Sequence, residues 1–345
     1  MTYTPHPFSR LHARRADARR RQRRRRLMFA GGGVGALLLV VAIALAAVMP
    51  AGGSSRRPAT RPRARPVPRP RLSPSGLPLG TAPLRLTTAA GPTVHVGFAV
   101  APRAGVLFDL DTGHILWARD PTWRLPIASL TKMMTALLTV EHTTPSTPVL
   151  ITHEAVSQQG SKVGELPLGR HVPANGLLAG LLLPSGNDAA VALAQGIAGT
   201  VPAFVSLMNS TAARLGLGCT RYSSPSGFYD AGNFSCADDL AELAAVDIEQ
   251  PRIERFSRLA SVGVPFPIHG GKLFVDNNNP LVLEGYPGIT GQKTGYTLAA
   301  GMCLVATARR DGVRLGVVLL HSPNTGAQGA ELLNAGFQAM GVPAG

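Results

Sequence analysis

The sequence predicts an α+β domain in which an antiparallel sheet is built from both ends of the folded region and helices cover its faces. Three observations predict it. Residues 104–119 read as a β-hairpin, residues 302–320 read as a second strand pair, and helix-period segments occupy most of the chain between them. Strands at the two ends can pair in one sheet only if the middle of the chain folds back over it.

The elements follow in order. Gly105-Val-Leu-Phe-Asp-Leu110 and His114-Ile-Leu-Trp-Ala118 flank a turn at Asp111-Thr-Gly113. Ser129 to Glu141 reads as a mostly buried helix, with Leu130, Met133, Met134, Leu137 and Leu138 at helical spacing. Gly176 to Leu183 is a helix that stops at Pro184, and another starts near Asp188 and runs to Ile197. Further helices are expected over Pro202–Leu215, Ala237–Val246 and Ala327–Met340. Met302–Ala308 and Val313–Leu320 are strands joined across Asp311-Gly312, a hairpin signal.

The chain has 345 residues and a formal net charge of +15. That charge is not spread over the fold. Residues 1–90 hold 18 Arg, no Lys and one acid, Asp17, whereas residues 91–345 carry 16 basic and 18 acidic side chains. The folded part is therefore close to neutral, and a basic face for nucleic acid is not implied. Residues 10–26 contain ten Arg, and Leu27 to Met49 is then a stretch of 23 residues without charge or proline. As a helix it would span roughly 35 Å, enough for a bilayer core. The Arg block marks the cytoplasmic side, so the rest of the chain is expected outside. A retained anchor is preferred on length. Ala42-Ile43-Ala44 and Ala44-Leu45-Ala46 keep open the alternative of a cleaved signal peptide. Pro50 to Arg85 has nine prolines alternating with Arg and reads as an extended solvated spacer. The organisation expected is a cytoplasmic tail (1–26), a transmembrane anchor (27–49), a linker (50–97) and a folded domain (98–345).

There are three cysteines, Cys219, Cys236 and Cys303. No CxxC spacing supports a zinc site. Outside the cytoplasm Cys219 and Cys236 could pair or stay free; Cys303, in an apolar run, is expected to be a buried thiol. His153, His171 and Glu165 form no metal-binding motif, so no metal or cofactor is expected.

Three short motifs carry chemistry. Ser129-Leu-Thr-Lys132 places a hydroxyl and an amine at i and i+3, on one face of a helix start. Serine is a weak nucleophile until a base takes its proton, and a lysine can be that base if burial or another cation lowers its pKa. Ser185-Gly-Asn187 follows the helix-stopping Pro184, where polar side chains can project into a cleft. Lys293-Thr-Gly295 precedes the C-terminal strand pair and offers a cation and a hydroxyl to a carboxylate, with Gly295 allowing close approach of substrate backbone. Each motif alone is weak. In this order they form the Ser-x-x-Lys, Ser-x-Asn, Lys-Thr-Gly set of penicillin-binding proteins and class A β-lactamases.

The surrounding residues sharpen the match. Ile127 to Thr135, Leu183 to Ala189, Ser224-Pro-Ser-Gly227 and Gln292 to Thr297 closely resemble the low-molecular-mass D-alanyl-D-alanine carboxypeptidases, the S11 serine peptidases, from about residue 98 to 340. The resemblance implies a β-lactamase/D,D-peptidase-like fold. It implies Ser129 as nucleophile, Lys132 as general base, Ser185 as proton relay and Asn187 as a substrate-orienting group. Lys293 and Thr294 would hold the substrate carboxylate, beside Gly295. The backbone N–H groups of Ser129 and Tyr296 would form the oxyanion hole. It also implies peptidoglycan stem peptides as substrates and β-lactams as covalent inhibitors. A D,D-endopeptidase or transpeptidase would use the same site. A class A β-lactamase would need a deacylating Glu in a Glu-x-x-Leu-Asn run between the second and third motifs, and none occurs there; Gly186 also stands where those enzymes carry Asp. An inert wall-binding module would not need all three reactive motifs intact. Two departures from the family pattern are Gln292, where an apolar residue is commoner, and the lack of any His between Asn187 and Pro267, which leaves open what assists deacylation.

Overall fold

A computed structural model describes residues 84–87, 93–228 and 232–343. The Arg-rich tail, the apolar segment 27–49 and most of the Pro/Arg-rich stretch lie outside the described residues. Where that stretch meets the domain, it joins it. Thr87 bridges to His114, Thr93 and Val94 donate to the Leu116 carbonyl, and Val94 is buried.

The strands are β1 (Ala104–Asp109), β2 (Ile115–Arg119), β3 (Leu125–Pro126), β4 (Pro148–Leu150), β5 (His171–Pro173), β6 (Phe234–Ser235), β7 (Ser261–Pro265), β8 (Lys272–Asp276), β9 (Ile289–Thr297), β10 (Gly301–Arg310) and β11 (Val313–Ser322). Five of them form the main antiparallel sheet in the order β2-β1-β11-β10-β9. The N-terminal hairpin and the C-terminal strands meet at the β1–β11 pair, with Val106 opposite Val318. The sheet is thus assembled from both ends of the folded region, as the alternation of elements implies. The pairs β3–β6, β4–β5 and β7–β8 were not visible in the sequence, because two- to five-residue strands carry too little periodicity to separate from loop.

Side chains alternate across the sheet with period two. Leu107, Leu304, Val317 and Leu319 face the C-terminal helix Thr325–Ala339 and pack with its Leu332, Leu333 and Phe337. Val106, Val305, Val318 and Leu320 face the other way, onto Leu240 and Ala244 of the helix Ala237–Ile248 and Met133 and Leu137 of the helix Lys132–His142. Both faces are buried, which explains the near-continuous apolar runs in β10 and β11. Burying a side chain such as Phe337 stabilises the fold by about 1.5–3 kcal/mol.

A second core holds the helical region together. Leu177, Leu178 and Leu181 of the helix Ala174–Leu182 pack with Val191 and Leu193 of the helix Asn187–Ala198, and with Phe256 and Phe266. The helix Val201–Leu215 shows the expected end signals. The Thr200 side chain accepts from the Ala203 N–H, Pro202 sits in the first turn, and Gly216 closes the helix at φ +78°. Among the described residues no single helix is long and apolar enough to cross a membrane.

Cys219 and Cys236 form a disulfide with Cα atoms 5.6 Å apart, and Cys303 is a free, buried thiol. Of the two tryptophans, Trp117 is buried and Trp123 is half exposed.

One half-buried acidic group gives the fold a pH dependence. Burial pushes Glu141 up from an ordinary 4.5 to about 7, against the opposing charge of Arg214. The folded chain therefore keeps a proton that the unfolded chain releases. Stability is full below the unfolded value and falls as pH rises through about 7. A Glu141→Gln variant is expected to melt higher than wild type at pH 8, by about 1 kcal/mol once partial solvent screening is allowed for. The gain should vanish near pH 4.5, where both proteins carry a neutral side chain. Melting curves at the two pH values check this.

Candidate active site

Ser129 lies in a 3-10 turn, Ala128–Thr131, that runs directly into the helix Lys132–His142. The turn is held by Ala128 at φ +48° and by Thr131 Oγ1, which donates to the Ala128 carbonyl at 2.8 Å. Ser129 is partly open, whereas Lys132, one turn on, is fully buried. The Lys132 Nζ lies 2.9 Å from Ser129 Oγ, 2.7 Å from Asn187 Oδ1 and 2.8 Å from the Ser226 carbonyl oxygen.

Burial holds the Lys132 amine well below the usual lysine range, the Lys293 charge lowers it further, and Asp188 opposes both. A neutral amine has two N–H donors and one lone pair. Asn187 Oδ1 and the Ser226 carbonyl can only accept, so they take the two donors. The lone pair is then left for the Ser129 hydroxyl, which donates to it. This arrangement can take a proton from serine.

Asn187 and its neighbours enter from the second helix pair. The helix Ala174–Leu182 ends before Pro184, Ser185 adopts φ +65°, and the next helix begins at Asn187. The Asn187 side chain is buried, with Nδ2 donating to the Gln159 carbonyl at 2.6 Å. Asp188 accepts from the Val163 and Gly164 N–H groups at 2.9 and 3.0 Å, which ties the loop 157–164 to the same helix start. The Ser185 Oγ is buried and makes no hydrogen bond to the described residues. A polar group left so is poised for a ligand. A side chain at Gly186 would meet Asp188 Oδ1 at 2.7 Å, Val163 at 2.9 Å and the Gly180 carbonyl at 3.0 Å.

Lys293, Thr294 and Gly295 sit within β9, the edge strand ahead of the β10–β11 pair, opposite Val305, Leu304 and Cys303 of β10. The sequence Ile289–Thr297 has no apolar alternation, and the strand is the edge of the sheet with Gly291, Gln292, Lys293 and Gly295 buried. Lys293 is buried, and desolvation lowers its amine to about 7. Gln292 is buried too, and its Nε2 donates to the Ala244 carbonyl at 2.8 Å, so the unusual polar residue anchors the strand to the helix Ala237–Ile248. Gly295 allows close packing against the serine turn. A Cβ there would lie 2.9 Å from the Ile127 carbonyl oxygen and 3.1 Å from the Ser129 nitrogen. Absence of a side chain lets β9 close against the backbone of the serine. Tyr296 follows on the exposed side.

Direct hydrogen bonds join Ser129, Lys132 and Asn187, and Gly295 abuts the Ser129 nitrogen. Ser185 reaches the region two residues before Asn187, and Thr294 and Tyr296 flank Gly295 on its strand. Three contributors were not legible beforehand. The Ser226 and Gln159 contacts are backbone carbonyls, which every residue has, so side-chain chemistry gives no signal for them. Asp188 could have been noticed as an acid following Ser-Gly-Asn.

A serine hydroxyl against a desolvated amine, with a second buried cation on the facing strand, defines an active-site-serine enzyme on an α+β scaffold. A family profile described as D-alanyl-D-alanine carboxypeptidase matches residues 88–324, and the chain belongs to that family of serine peptidases. It is 35% identical over 217 residues to D-alanyl-D-alanine carboxypeptidase DacF of Bacillus subtilis, which covers 61% of this chain and 55% of that protein. The chain thus matches only about half the length of that relative. It is 33% identical to a D-alanyl-D-alanine endopeptidase of Pseudomonas aeruginosa, over 64% of this chain and 71% of that one. A solved variant of Streptomyces K15 DD-transpeptidase superposes with a TM-score of 0.65 at 28% identity, covering 70% of this chain and all of the other.

Proposed function

We propose that this chain is a D-Ala-D-Ala carboxypeptidase that trims peptidoglycan stem pentapeptides through an acyl-enzyme on Ser129. The observation that carries the reading is the 2.9 Å contact between Ser129 Oγ and a desolvated Lys132. Ser129 attacks the carbonyl of the penultimate D-Ala while Lys132 takes its proton. The backbone N–H groups of Ser129 and Tyr296 hold the oxyanion, a contribution of roughly 2.7–4 kcal/mol per donor. Ser185 passes a proton to the leaving D-Ala nitrogen, and Asn187 orients the substrate amide. Lys293 and Thr294 hold the terminal carboxylate. Water then attacks the ester carbon, Ser129 leaves with a proton, and the tetrapeptide departs. A β-lactam would acylate the same oxygen.

The β-lactamase alternative is disfavoured because no Glu-x-x-Leu-Asn run lies between Asn187 and Lys293 and Gly186 stands where those enzymes carry Asp. An endopeptidase or transpeptidase differs in the bond cleaved or in the acceptor. Incubation with a pentapeptide ending in D-Ala-D-Ala is expected to release one D-Ala and a tetrapeptide. A dimeric product would favour transpeptidation. No D-Ala release, from protein that still takes up penicillin, would overturn the carboxypeptidase reading.

The site is proposed to face the cell wall, held by the apolar segment 27–49 with the Arg-rich tail inside. The charge asymmetry supports this, as does the Cys219–Cys236 disulfide, since such bonds persist in oxidising compartments. Full-length chain retained in carbonate-washed membranes is the expected result. Released protein starting just after Ala44 or Ala46 would favour signal cleavage instead.

A further inference from the structure

Lys132 depends on a carbonyl that belongs to a segment none of the three motifs contains. The Ser226 carbonyl takes one of its two N–H bonds, and the neighbouring Pro225 carbonyl accepts from Thr135 Oγ1 at 2.8 Å, one turn further along the same helix. These carbonyls lie in the turn Ser224–Gly227. Gly227, at φ +70°, presses on the Ala128 carbonyl so closely that a Cβ would fall 2.0 Å from it. The turn therefore forms a wall behind both Ser129 and Lys132.

The turn is organised from within by one side chain. Asn233 is buried; its Oδ1 accepts from the Ser223 and Ser224 N–H groups at 3.0 and 3.4 Å, and its Nδ2 donates to Ser224 Oγ at 2.9 Å. Ser224 Oγ in turn accepts from the Gly227 N–H at 3.0 Å, which closes the turn. Asn233 is itself fixed from outside. Arg221 and Phe234 exchange backbone hydrogen bonds at 2.9 and 3.1 Å, Thr220 Oγ1 meets Ser235 Oγ at 2.7 Å, and the Cys219–Cys236 disulfide staples the neck.

We infer that Asn233 is a positioning residue for the reaction, acting through the Ser224–Gly227 turn to aim the Lys132 lone pair at Ser129 and to keep water from the amine. The inference rests on the reading of Lys132 as base. If the Ser226 carbonyl retreats, the amine loses one of the two acceptors that orient it. It also gains access to water, which restores the charged form and raises the pH needed to free the lone pair.

The test is the second-order rate of acylation by a fluorescent penicillin, followed against pH, in full-length Asn233→Ala. Expected are a loss of about 10²-fold at neutral pH, the order that a small misplacement of a reacting group brings, and an ascending limb moved to higher pH. Labelling should still reach one penicillin per chain. An unchanged rate, or a slower rate with an unmoved limb, overturns the inference, because lost stability alone would not shift the titration of Lys132. Should Asn233→Ala fail to reach full labelling, Ser224→Ala decides. It removes the oxygen that Asn233 and Gly227 share, and the limb must move in the same direction. Lys132→Ala separates the two readings. If it acylates at the wild-type rate, the base assignment itself falls; if it is slow while Asn233→Ala is normal, only the positioning role falls.

Discussion

Replacing Ser129 with alanine is expected to abolish the covalent penicillin adduct and to cut D-Ala release by on the order of 10⁵–10⁶-fold, the scale seen when an acyl-accepting serine is removed. The nearby hydroxyls are poor substitutes: Ser185 Oγ, though uncommitted, makes no hydrogen bond to Lys132. The Thr131 hydroxyl is committed to the Ala128 carbonyl, and the Thr135 hydroxyl to the Pro225 carbonyl. The fold should survive, because Ser129 is partly open and Lys132 keeps its contacts with Asn187 and Ser226. Intact-mass measurement after incubation with benzylpenicillin checks the first effect and a melting curve the second. An adduct on the Ser129→Ala protein would move the nucleophile elsewhere.

Lys132→Ala is expected to slow acylation at neutral pH by roughly 10²–10⁴-fold, the range of a positioned general base. At 1.36 kcal/mol per tenfold this is about 3–5 kcal/mol of lost transition-state stabilisation. Lys132→Arg should not rescue it. A guanidinium stays charged and has no lone pair to give, so it cannot take the serine proton. The alanine variant also leaves Asn187 Oδ1 and the Ser226 carbonyl short of a donor in a buried site, at about 1–3 kcal/mol for each orphaned group. Melting temperature must therefore be read beside the rate. Lys132→Arg acylating within a few-fold of wild type would contradict the role of a neutral amine.

The sheet from both chain ends was legible because hairpin signals at 104–119 and 302–320 bracket helical periodicity. The long helices were legible through their apolar spacing and their Pro and Gly stops. What was hidden has a common cause. β9 reads as polar and carries no apolar alternation, so Lys293-Thr-Gly295 could be set on a strand edge ahead of the C-terminal pair, but the extent of the strand, Ile289–Thr297, could not be read. The role of Gly295 depends on what it touches, the Ile127 carbonyl and the Ser129 nitrogen, which lie more than 160 residues away in sequence. The pairing of Cys219 with Cys236 could be posed but not decided from an odd count of cysteines. The Ser226 carbonyl has no side-chain signature at all. Side-chain motifs marked the site, whereas its backbone acceptors needed the fold.

The most direct test of a desolvated, neutral Lys132 working on Ser129 is the pH dependence of benzylpenicillin acylation of the wild-type protein. The account predicts an ascending limb with its midpoint well below 10.5, missing from Lys132→Ala. It also predicts a decline above about 7, as Lys293 gives up the charge that holds the ligand carboxylate. A rate that instead climbs steadily through pH 10, as for an ordinary exposed amine, would contradict it.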